Sequence, residues 1–261
     1  VWFGTKDGLD RFDGYSFKIF RSDPDSSGSI GSNFIHSLYE DKNGILWVGT
    51  ENGLYRYDAT MERFSLLPNT SNVGAVTDIK MDPQGSLWFI TGLTLNRYDF
   101  AGKKLNPYPI AKYFEATSIC ISSDQHLWVS TTTGLLKKYN RSANSFTDFD
   151  MFSQTPNAEN HWIEKLYGTK NGMIFIGTSI HGAKLFNISN STYKDILTYN
   201  PDRTAIFGRC FIQTSEEEIW MGTESGIFIY NMSTGKSTHL QKKYNDPYSI
   251  SDNAVYTFCI D

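Results

Sequence analysis

Eight side chains of this sequence have the chemistry of a binding site for a ring-shaped, hydroxyl-rich ligand. They are one indole, one phenol, three imidazoles, two guanidinium groups and one ammonium group: Trp162, Tyr113, His36, His161, His181, Arg203, Arg209 and Lys112. An exposed indole offers a flat apolar surface on which the C–H face of a sugar can stack, and the polar groups can bond its hydroxyls. We expect these residues to contact ligand if the fold brings them to one face.

The sequence also contains acidic side chains that could cleave a glycosidic bond. Paired carboxylates about 5–10 Å apart cleave glycosidic bonds, and six candidates are Asp7, Glu51, Asp78, Glu115, Glu164 and Glu224. No cysteine–histidine cluster has zinc-ligand spacing, and neither a phosphate-binding loop nor a G-x-S-x-G elbow occurs. We expect no catalytic residue, no metal and no cofactor, and we keep a glycoside hydrolase or lyase as the alternative.

A repeated phrase indicates the elements that position these residues. "LWVGTENGLYRYD" begins at residue 46, and similar phrases begin at residues 1, 87, 127, 174 and 219, so the copies are spaced by 45, 41, 40, 47 and 45 residues. Each copy lies between two further apolar or aromatic runs with Gly, Asn, Asp or Ser at the corners, which predicts four short antiparallel strands, a to d. Four-stranded units at this period predict an all-β fold, a β-propeller built from such blades.

The repeat predicts six blade-equivalents within a single propeller domain or fragment, residues 1–261. The approximate units are 1–33, 34–74, 75–114, 115–161, 162–206 and 207–253, with 254–261 starting or closing a further blade. Five units contain all four strands, at roughly 34–67, 75–108, 115–149, 162–197 and 207–240. The remaining unit is split, with strands b, c and d in residues 1–20 and strand a in residues 254–260.

Residues that recur at one repeat position are expected to serve the architecture. Strand b carries an aromatic ring at Trp2, Trp47, Trp88, Trp128, Phe175 and Trp220. Rings of this size can fill the space between neighbouring sheets, and the glycine that follows in most copies lets backbones approach closely. Strand c closes on an acid or amide that suits bonding to the next turn, at Asp13, Asp58, Asp99, Asn140, Asn187 and Asn231. Copy three reads "FITGLT" and departs from this pattern, so its corner conformation is left open.

The three cysteines, Cys120, Cys210 and Cys259, all fall in strand a. We expect small buried thiols there and no disulfide framework.

Composition argues against two partner classes. The net charge is -4 with a pI of about 5.8, so no basic field favours direct contact with nucleic acid. No apolar run reaches the roughly 18–20 residues of a membrane span.

The pattern D-x-x-G-x-[LI]-W-x-G-T-x-x-G-[LI]-x-x-[YF]-[DN], with "VWFGTKDGLDRFDGYSF" at the start of the chain, resembles the two-component regulator propeller repeat. The resemblance covers the whole chain and implies the N-terminal propeller of the periplasmic sensor in a Bacteroides-type hybrid two-component system. Such receptors carry seven-bladed propellers ahead of a membrane helix, a histidine kinase and a transcription-regulating module. The resemblance therefore implies part of a seven-bladed propeller, carbohydrate sensing, contacts with neighbouring domains of the same receptor, and a homodimer in the full-length inner-membrane protein.

Loop variety predicts where a ligand binds. In a propeller the b–c and d–a loops share one face, and the long, varied d–a loops are 22–33, 107–115, 151–162, 199–209 and 243–253. Trp162 stands at the mouth of strand a, where the other copies have Phe34, Ala75, Glu115, Phe207 and Ala254. We expect a non-catalytic sensor that binds an oligosaccharide at this face. The alternatives are the glycoside hydrolase or lyase and a protein-interaction scaffold, with Trp162 in the core and the arginines paired to Asp202 or Glu164.

Overall fold

The computed structural model describes residues 1–108, 111–112 and 114–260, and the regular elements in this part of the chain are β-strands. Blade 1 contains β1 (Trp2–Gly4), β2 (Leu9–Phe12) and β3 (Phe17–Phe20). Blade 2 contains β4 (Ile35–Glu40), β5 (Leu46–Thr50), β6 (Gly53–Asp58) and β7 (Arg63–Leu66). Blade 3 contains β8 (Val76–Met81), β9 (Leu87–Thr91), β10 (Thr94–Asp99) and β11 (Lys104–Tyr108).

The remaining three blades have the same four-strand plan. Blade 4 contains β12 (Ala116–Ile121), β13 (Leu127–Thr131), β14 (Leu135–Asn140) and β15 (Ser145–Asp150). Blade 5 contains β16 (Ile163–Gly168), β17 (Met173–Thr178), β18 (Ala183–Asn187) and β19 (Thr192–Leu197). Blade 6 contains β20 (Cys210–Gln213), β21 (Glu218–Thr223), β22 (Gly226–Asn231) and β23 (Ser237–Leu240).

Each blade is a sheet in which consecutive strands are neighbours. Within the ranges that the structure describes, blades 2 to 6 have four strands and blade 1 has three, and neighbouring strands run antiparallel. These strands confirm the predicted all-β class and the four-strand repeat. The chain divides into two compact units, Val1–Ile119 and Cys120–Asp261. Among the described residues, no helix is long and apolar enough to span a membrane.

Strand b carries the core of the blades, as predicted. Trp47, Trp88, Trp128 and Phe175 are at most 2% exposed, whereas Trp2 and Trp220 are half-buried. In blade 2 the indole of Trp47 packs with Leu54, and its cluster also contains Ile79 from blade 3. The ring therefore fills the space between adjacent sheets.

The a–b turn and the strand-b tryptophan are bonded to each other. Trp47 Nε1 donates to Asp41 Oδ2 at 3.0 Å, and the other oxygen of Asp41 accepts from the amides of Asn43 and Ile45. Trp88 Nε1 and Asp82 Oδ2 repeat this bond at 3.0 Å in blade 3. The motif D-x-x-G-x-[LI]-W is thus a closed unit, because its first carboxylate satisfies both the turn and the buried indole N–H.

The variants of this motif follow the same rule. In blade 4, Trp128 Nε1 donates to Ser122 Oγ at 2.9 Å. In blade 5 the ring is Phe175, which has no N–H, and Thr169 stands at the turn and bonds the backbone of Met173. In blade 6 Trp220 Nε1 donates to Glu218 Oε1 at 2.7 Å, so each indole named here has an acceptor even where the aspartate is replaced.

Close backbone approach explains the glycine after the tryptophan. A Cβ on Gly49 would lie 2.5 Å from the carbonyl oxygen of Val76 in the next blade. In blade 5, a Cβ on Gly177 would lie 2.1 Å from the carbonyl oxygen of Gly208. A side chain at either position would force the neighbouring strand away.

The corners also agree with the sequence analysis. The acid or amide that ends strand c accepts amide hydrogen bonds from the following turn in every blade: Asp13, Asp58, Asp99, Asn140, Asn187 and Asn231. The corner left open in copy three is a two-residue turn in which both Gly92 and Leu93 have positive φ, 49° and 68°. Positive φ at both central residues is the geometry that favours a tight hairpin.

The prediction of a strand in residues 254–260 is wrong for this structure. The segment forms no strand, and its Val255 amide donates to the carbonyl of Thr223 at 2.9 Å. Consequently Cys259 is exposed, contrary to the expected buried thiol. Cys120 and Cys210 are buried as expected, and burial raises the pKa of the Cys210 thiol to about 11. The three cysteines are free.

Candidate functional site

A β-bulge at the second position of strand a points one side chain out of the ladder. We call the end of a blade that carries its b–c and d–a loops the loop end, and the opposite end, with the a–b and c–d turns, the turn end. In blade 2 the register jumps between Ile35 and Ser37, in blade 3 between Val76 and Asp78, and in blade 5 between Ile163 and Lys165. The bulged residues are therefore His36, Thr77 and Glu164. A bulge re-aims a side chain without disturbing the rest of the sheet.

Blade 6 places Arg209 at the same position. Cys210 pairs with Gly222, as Ser37 pairs with Gly49 in blade 2, so the preceding residue, Arg209, corresponds to His36. His36 and Arg209 therefore occupy equivalent positions in their blades.

His36, Glu164 and Arg209 each contact the first residue of the b–c loop in their own blade, whereas Thr77 Oγ1 lies 3.5 Å from the carbonyl of Ile90 in strand b. His36 Nε2 lies 2.6 Å from Glu51 Oε2. Ser179 Oγ donates to Glu164 Oε1 at 2.7 Å, and Arg209 Nε donates to Glu224 Oε1. We call these three contacts the rim pairs: His36–Glu51, Glu164–Ser179 and Arg209–Glu224.

An aromatic ring accompanies every rim pair. The residues two positions before the bulge are Phe34, Trp162 and Phe207. Phe34 is 37% exposed and stacks on His36, with ring centroids 4.2 Å apart and planes inclined by 22°. The guanidinium of Arg209 lies over the ring of Tyr256, 5.0 Å from its centroid.

Trp162 occupies the place in blade 5 that Phe34 occupies in blade 2. The first b–c loop residue donates its amide to the carbonyl of this aromatic residue in both blades, from Glu51 to Phe34 and from Ser179 to Trp162, each at 3.0 Å. The Trp162 amide is fixed by Asn160 Oδ1 at 2.7 Å. Trp162 is half-buried, so part of the residue is accessible beside Glu164.

A basic cluster lies next to Trp162. His161 stacks on the buried ring of Phe152, with centroids 4.5 Å apart, and His181 meets the same ring edge-on at 5.7 Å. Lys184 Nζ lies 4.5 Å from the centroid of this ring and donates to Asp195 Oδ1 at 2.6 Å. The d–a loop of residues 151–162 and the b–c loop of blade 5 are therefore packed together.

The surroundings of His181 lower the pKa of its imidazole and so favour the neutral form. Desolvation is the main reason that its pKa is lowered, and the positive charge of Lys184 acts in the same direction. Its hydrogen bond to the carbonyl of Asn160 opposes this shift. Nε2 is buried and without a partner, so Nδ1 makes that bond and Nε2 is left as an acceptor. His161 Nε2 is also buried without a partner.

The other predicted binding residues are not part of a rim pair. Arg203 is exposed and has φ of 68°, and Lys112 is exposed. Tyr113 lies outside the described residues. Arg209 pairs with Glu224 and not with Asp202 or Glu164, the pairing considered as an alternative. Asp202 accepts from Thr204.

Most of the carboxylates that were candidates for a glycoside hydrolase or lyase have hydrogen-bond or ion-pair partners. Glu51, Glu164 and Glu224 belong to the rim pairs. Asp78 is buried and accepts from Ser118 Oγ at 2.7 Å and from the Ile119 amide at 3.0 Å. Asp7 pairs with Arg21 at 2.6 Å. In the part of the chain that the structure describes, no group of three or more His, Cys, Asp or Glu residues is arranged to hold a metal ion.

Sequence reasoning considered Glu51, Glu164 and Glu224 only as carboxylates of the alternative enzyme, and it missed Ser179, Phe152 and Lys184. An available signal was the repeat itself, because Glu51, Ser179 and Glu224 all follow the Gly-Thr step of strand b.

A cavity of about 670 Å³ lies between blades 5 and 6 at the turn end. Its lining includes the side chains of Met173, Leu185 and Met232, with Lys170 and Glu217 among the polar groups. It is a competing location for a ligand, far along the strands from the rim pairs.

Comparison with solved structures defines the class of fold. The chain matches, with a TM-score of 0.82 and 20% identity, the extracellular domain of a protein described as a hybrid two component system of B. thetaiotaomicron, over 98% of this chain and 33% of that one. A second such extracellular domain of B. thetaiotaomicron gives a TM-score of 0.77 and 23% identity over 97% of this chain and 34% of that one. Virginiamycin B lyase of Staphylococcus aureus gives a TM-score of 0.72 and 16% identity over 100% of this chain and 84% of the lyase. The fold is a β-propeller, as predicted.

Sequence comparison identifies the repeat. Residues 29–52 match the two component regulator propeller family. A stretch of 30 residues is 57% identical to Histidine kinase P4 of Formosa agariphila, covering 12% of this chain and 2% of that protein. The chain thus spans about a third of the two extracellular domains and a small part of the kinase. The two-component regulator propeller repeat is thus confirmed at residues 29–52, a stretch that includes Phe34, His36 and Glu51.

Proposed function

We propose that this chain is an extracytoplasmic ligand-sensing propeller of a hybrid two-component sensor, and that it binds an oligosaccharide at the loop end of its blades. The observation that carries the proposal is the rim pair. One backbone position in three blades presents a different polar pair, each beside an aromatic ring. Chemical variety on a constant backbone is the expected property of a recognition surface.

The chemistry of the loop end suits a sugar. Phe34 and Trp162 offer rings whose apolar faces can stack on C–H groups, and aromatic contacts often dominate binding energy. The rim pairs supply donors and acceptors side by side, and a hydroxyl can use both. His161, His181, Arg203, Lys112 and Tyr113 are further proposed ligand contacts.

Signalling rather than turnover is the proposed outcome of binding. The carboxylates of the rim pairs are held by partners within their own blades, which suits recognition better than proton transfer. A bound ligand changes a receptor only if it favours one of two arrangements. We therefore propose that ligand binding changes the contacts of this propeller with neighbouring domains of the receptor or with a second receptor chain. The kinase step follows from that change. The periplasmic location proposed for this part follows from the extracellular domains to which the chain is similar.

The test is calorimetric titration of the purified sensor region with a panel of oligosaccharides, before and after Trp162→Ala. We expect saturable binding to the wild type and at least about a tenfold loss of affinity in the variant, as for a central aromatic contact. Lys170→Ala, at the turn end, is the matched control and should leave affinity unchanged. A folded Trp162→Ala protein with full affinity would remove Trp162 from the site.

A glycoside hydrolase or lyase is the second candidate, because the propeller of an enzyme, virginiamycin B lyase, matches the whole chain in fold. Product analysis of the same mixtures separates the two functions. Released fragments that increase with time would establish an enzyme, and intact oligosaccharide with saturable binding is the result expected of a sensor.

A further inference from the structure

We infer that the ligand recognised at the loop end is an uncharged oligosaccharide, without carboxylate or sulfate groups on the residues that contact the rim pairs. The inference rests on the proposed function and deepens it, since it names the class of sugar. It depends on how the charges of the rim pairs are arranged and on which buried atoms have no hydrogen-bond partner.

The basic side chains of the rim pairs each face a carboxylate within their own blade. His36 faces the carboxylate of Glu51 at 2.6 Å, and the guanidinium of Arg209 is bonded to Glu224. In blade 5 the bulged residue is itself a carboxylate, Glu164, with a neutral partner. A rim pair therefore has either a balanced charge or a negative one. An anionic group on the ligand would approach a carboxylate as closely as it approached the cation.

The atoms that lack a partner also point to a ligand that donates hydrogen bonds. Glu224 Oε1 is occupied by Arg209, but Glu224 Oε2 is buried and has no partner. His181 Nε2 is a buried acceptor without a donor, because its Nδ1 is used by the carbonyl of Asn160. Unsatisfied buried acceptors are costly, and a donor that reaches them recovers that cost.

Hydroxyl groups meet both requirements. Each hydroxyl donates one hydrogen bond and accepts others, so it can donate to a carboxylate such as Glu224 and accept from the adjacent Arg209. The Glu224 side chain is 34% exposed, so a rotation can present its free oxygen to such a group. Carboxylate and sulfate groups on a sugar have no hydrogen to donate and cannot satisfy Glu224 Oε2 or His181 Nε2.

Lys184 does not alter this conclusion. It is the cation that lies deepest in the loop end of blade 5, with a side chain only 2% exposed. It is paired with Asp195 and covered by the rings of Phe152 and Tyr193, so an anionic ligand would have to displace all three. Arg203 and Lys6 are exposed and lie outside the rim pairs, and Lys6 Nζ is 5.7 Å from the centroid of the Phe34 ring. Cations at such exposed positions are screened by solvent and salt.

The experiment compares matched hexasaccharides on the intact sensor region. One set is neutral, built from glucose, mannose, xylose or galactose, and the other carries uronic acid carboxylates or sulfate esters. Affinities are measured at about 50 mM and about 500 mM NaCl, because added salt screens attraction between exposed charges. We expect a neutral member to bind with an affinity that changes less than about twofold between these two conditions.

A variant pair sharpens the test. Glu224→Gln replaces an acceptor oxygen by a donor amide, and it should weaken the neutral ligand by about tenfold, as when a polar partner is left unmatched. Glu217→Gln makes the same substitution at the turn end and should have no effect.

The possible failures differ from one another. Tight binding of an acidic hexasaccharide that weakens steeply with salt would overturn the uncharged-ligand inference and leave the sensor function standing. Binding of no hexasaccharide from either set would overturn the oligosaccharide proposal itself, and this inference with it.

Discussion

The two ends of blade 2 place similar residue types in opposite surroundings. At the turn end, the carboxylate of Asp41 is 5% exposed and bonds the turn amides and the indole of Trp47. At the loop end, the carboxylate of Glu51 is 56% exposed and faces His36 beside the ring of Phe34. The first carboxylate completes the interior of the blade, whereas the second remains accessible to a partner.

The same contrast recurs in blade 5. Its turn end has lost both the indole and the aspartate, and Phe175 and Thr169 keep the core closed without them. Its loop end has gained Trp162, which has no equivalent ring in blades 3 and 4. At the turn end, the residues that differ between blades still leave the buried polar groups with hydrogen-bond partners. The loop end changes freely because its side chains are not required by the sheet.

The largest expected effect is on the core ring. Trp47→Ala should lower the free energy of unfolding by about 3–5 kcal/mol, because a buried ring is lost and a cavity remains between two sheets. Trp162→Ala should cost about 1–2 kcal/mol, since that residue is only half-buried. Urea unfolding of both variants, followed by circular dichroism, checks the difference. Equal losses would show that the two tryptophans do not differ in role.

The buried carboxylate should have the next largest effect. Asp41→Ala leaves the indole N–H of Trp47 and the amides of the turn without an acceptor, and we expect a loss of about 1–3 kcal/mol. Asp41→Asn keeps an oxygen for these donors and should lose less. Asp58→Ala, at an exposed turn, is the control for the substitution and should stay below about 1 kcal/mol. Chemical denaturation measures all three, and a neutral Asp41→Ala would contradict the closed-unit interpretation of the motif.

The rim pair should matter little for stability. Glu51→Ala removes a half-exposed partner of His36, and such pairs contribute about 0–1 kcal/mol. The same denaturation series provides the measurement. A loss as large as that of Asp41→Ala would assign the rim pair to the structural framework rather than to recognition.

These contrasts also explain how far the sequence could be interpreted. The blades, the strand-b rings and the Asx corners were predictable because their bonding is local and repeats with the chain. The bulge was not, since a one-residue register shift at His36 or Glu164 leaves no mark in an alternating pattern. Residues 254–260 were mispredicted because their sequence resembles strand a but they form no ladder in this structure.

The histidine cluster adds a smaller, pH-dependent effect at the loop end. The folded-state pKa of His181 lies below the unfolded value of about 6.5, so its neutral form is the one that the fold favours. The associated stability is present above that unfolded value and is lost as the pH falls through it towards the folded pKa. We expect a lower melting temperature at about pH 5.5 than at about pH 7.5, with a smaller difference in His181→Gln. An identical pH dependence in the variant would exclude His181 as its source.

The central claim is that ligand binds at the loop end, and hydrogen exchange of the sensor region tests it most directly. The probe is the tightest-binding oligosaccharide of the calorimetric panel, added at saturating concentration. We predict that amides in residues 151–162, 178–182 and 222–226 become protected, because these segments carry Trp162, Ser179 and Glu224. Protection confined to residues 169–172 and 214–217, beside the cavity at the turn end, would contradict the account.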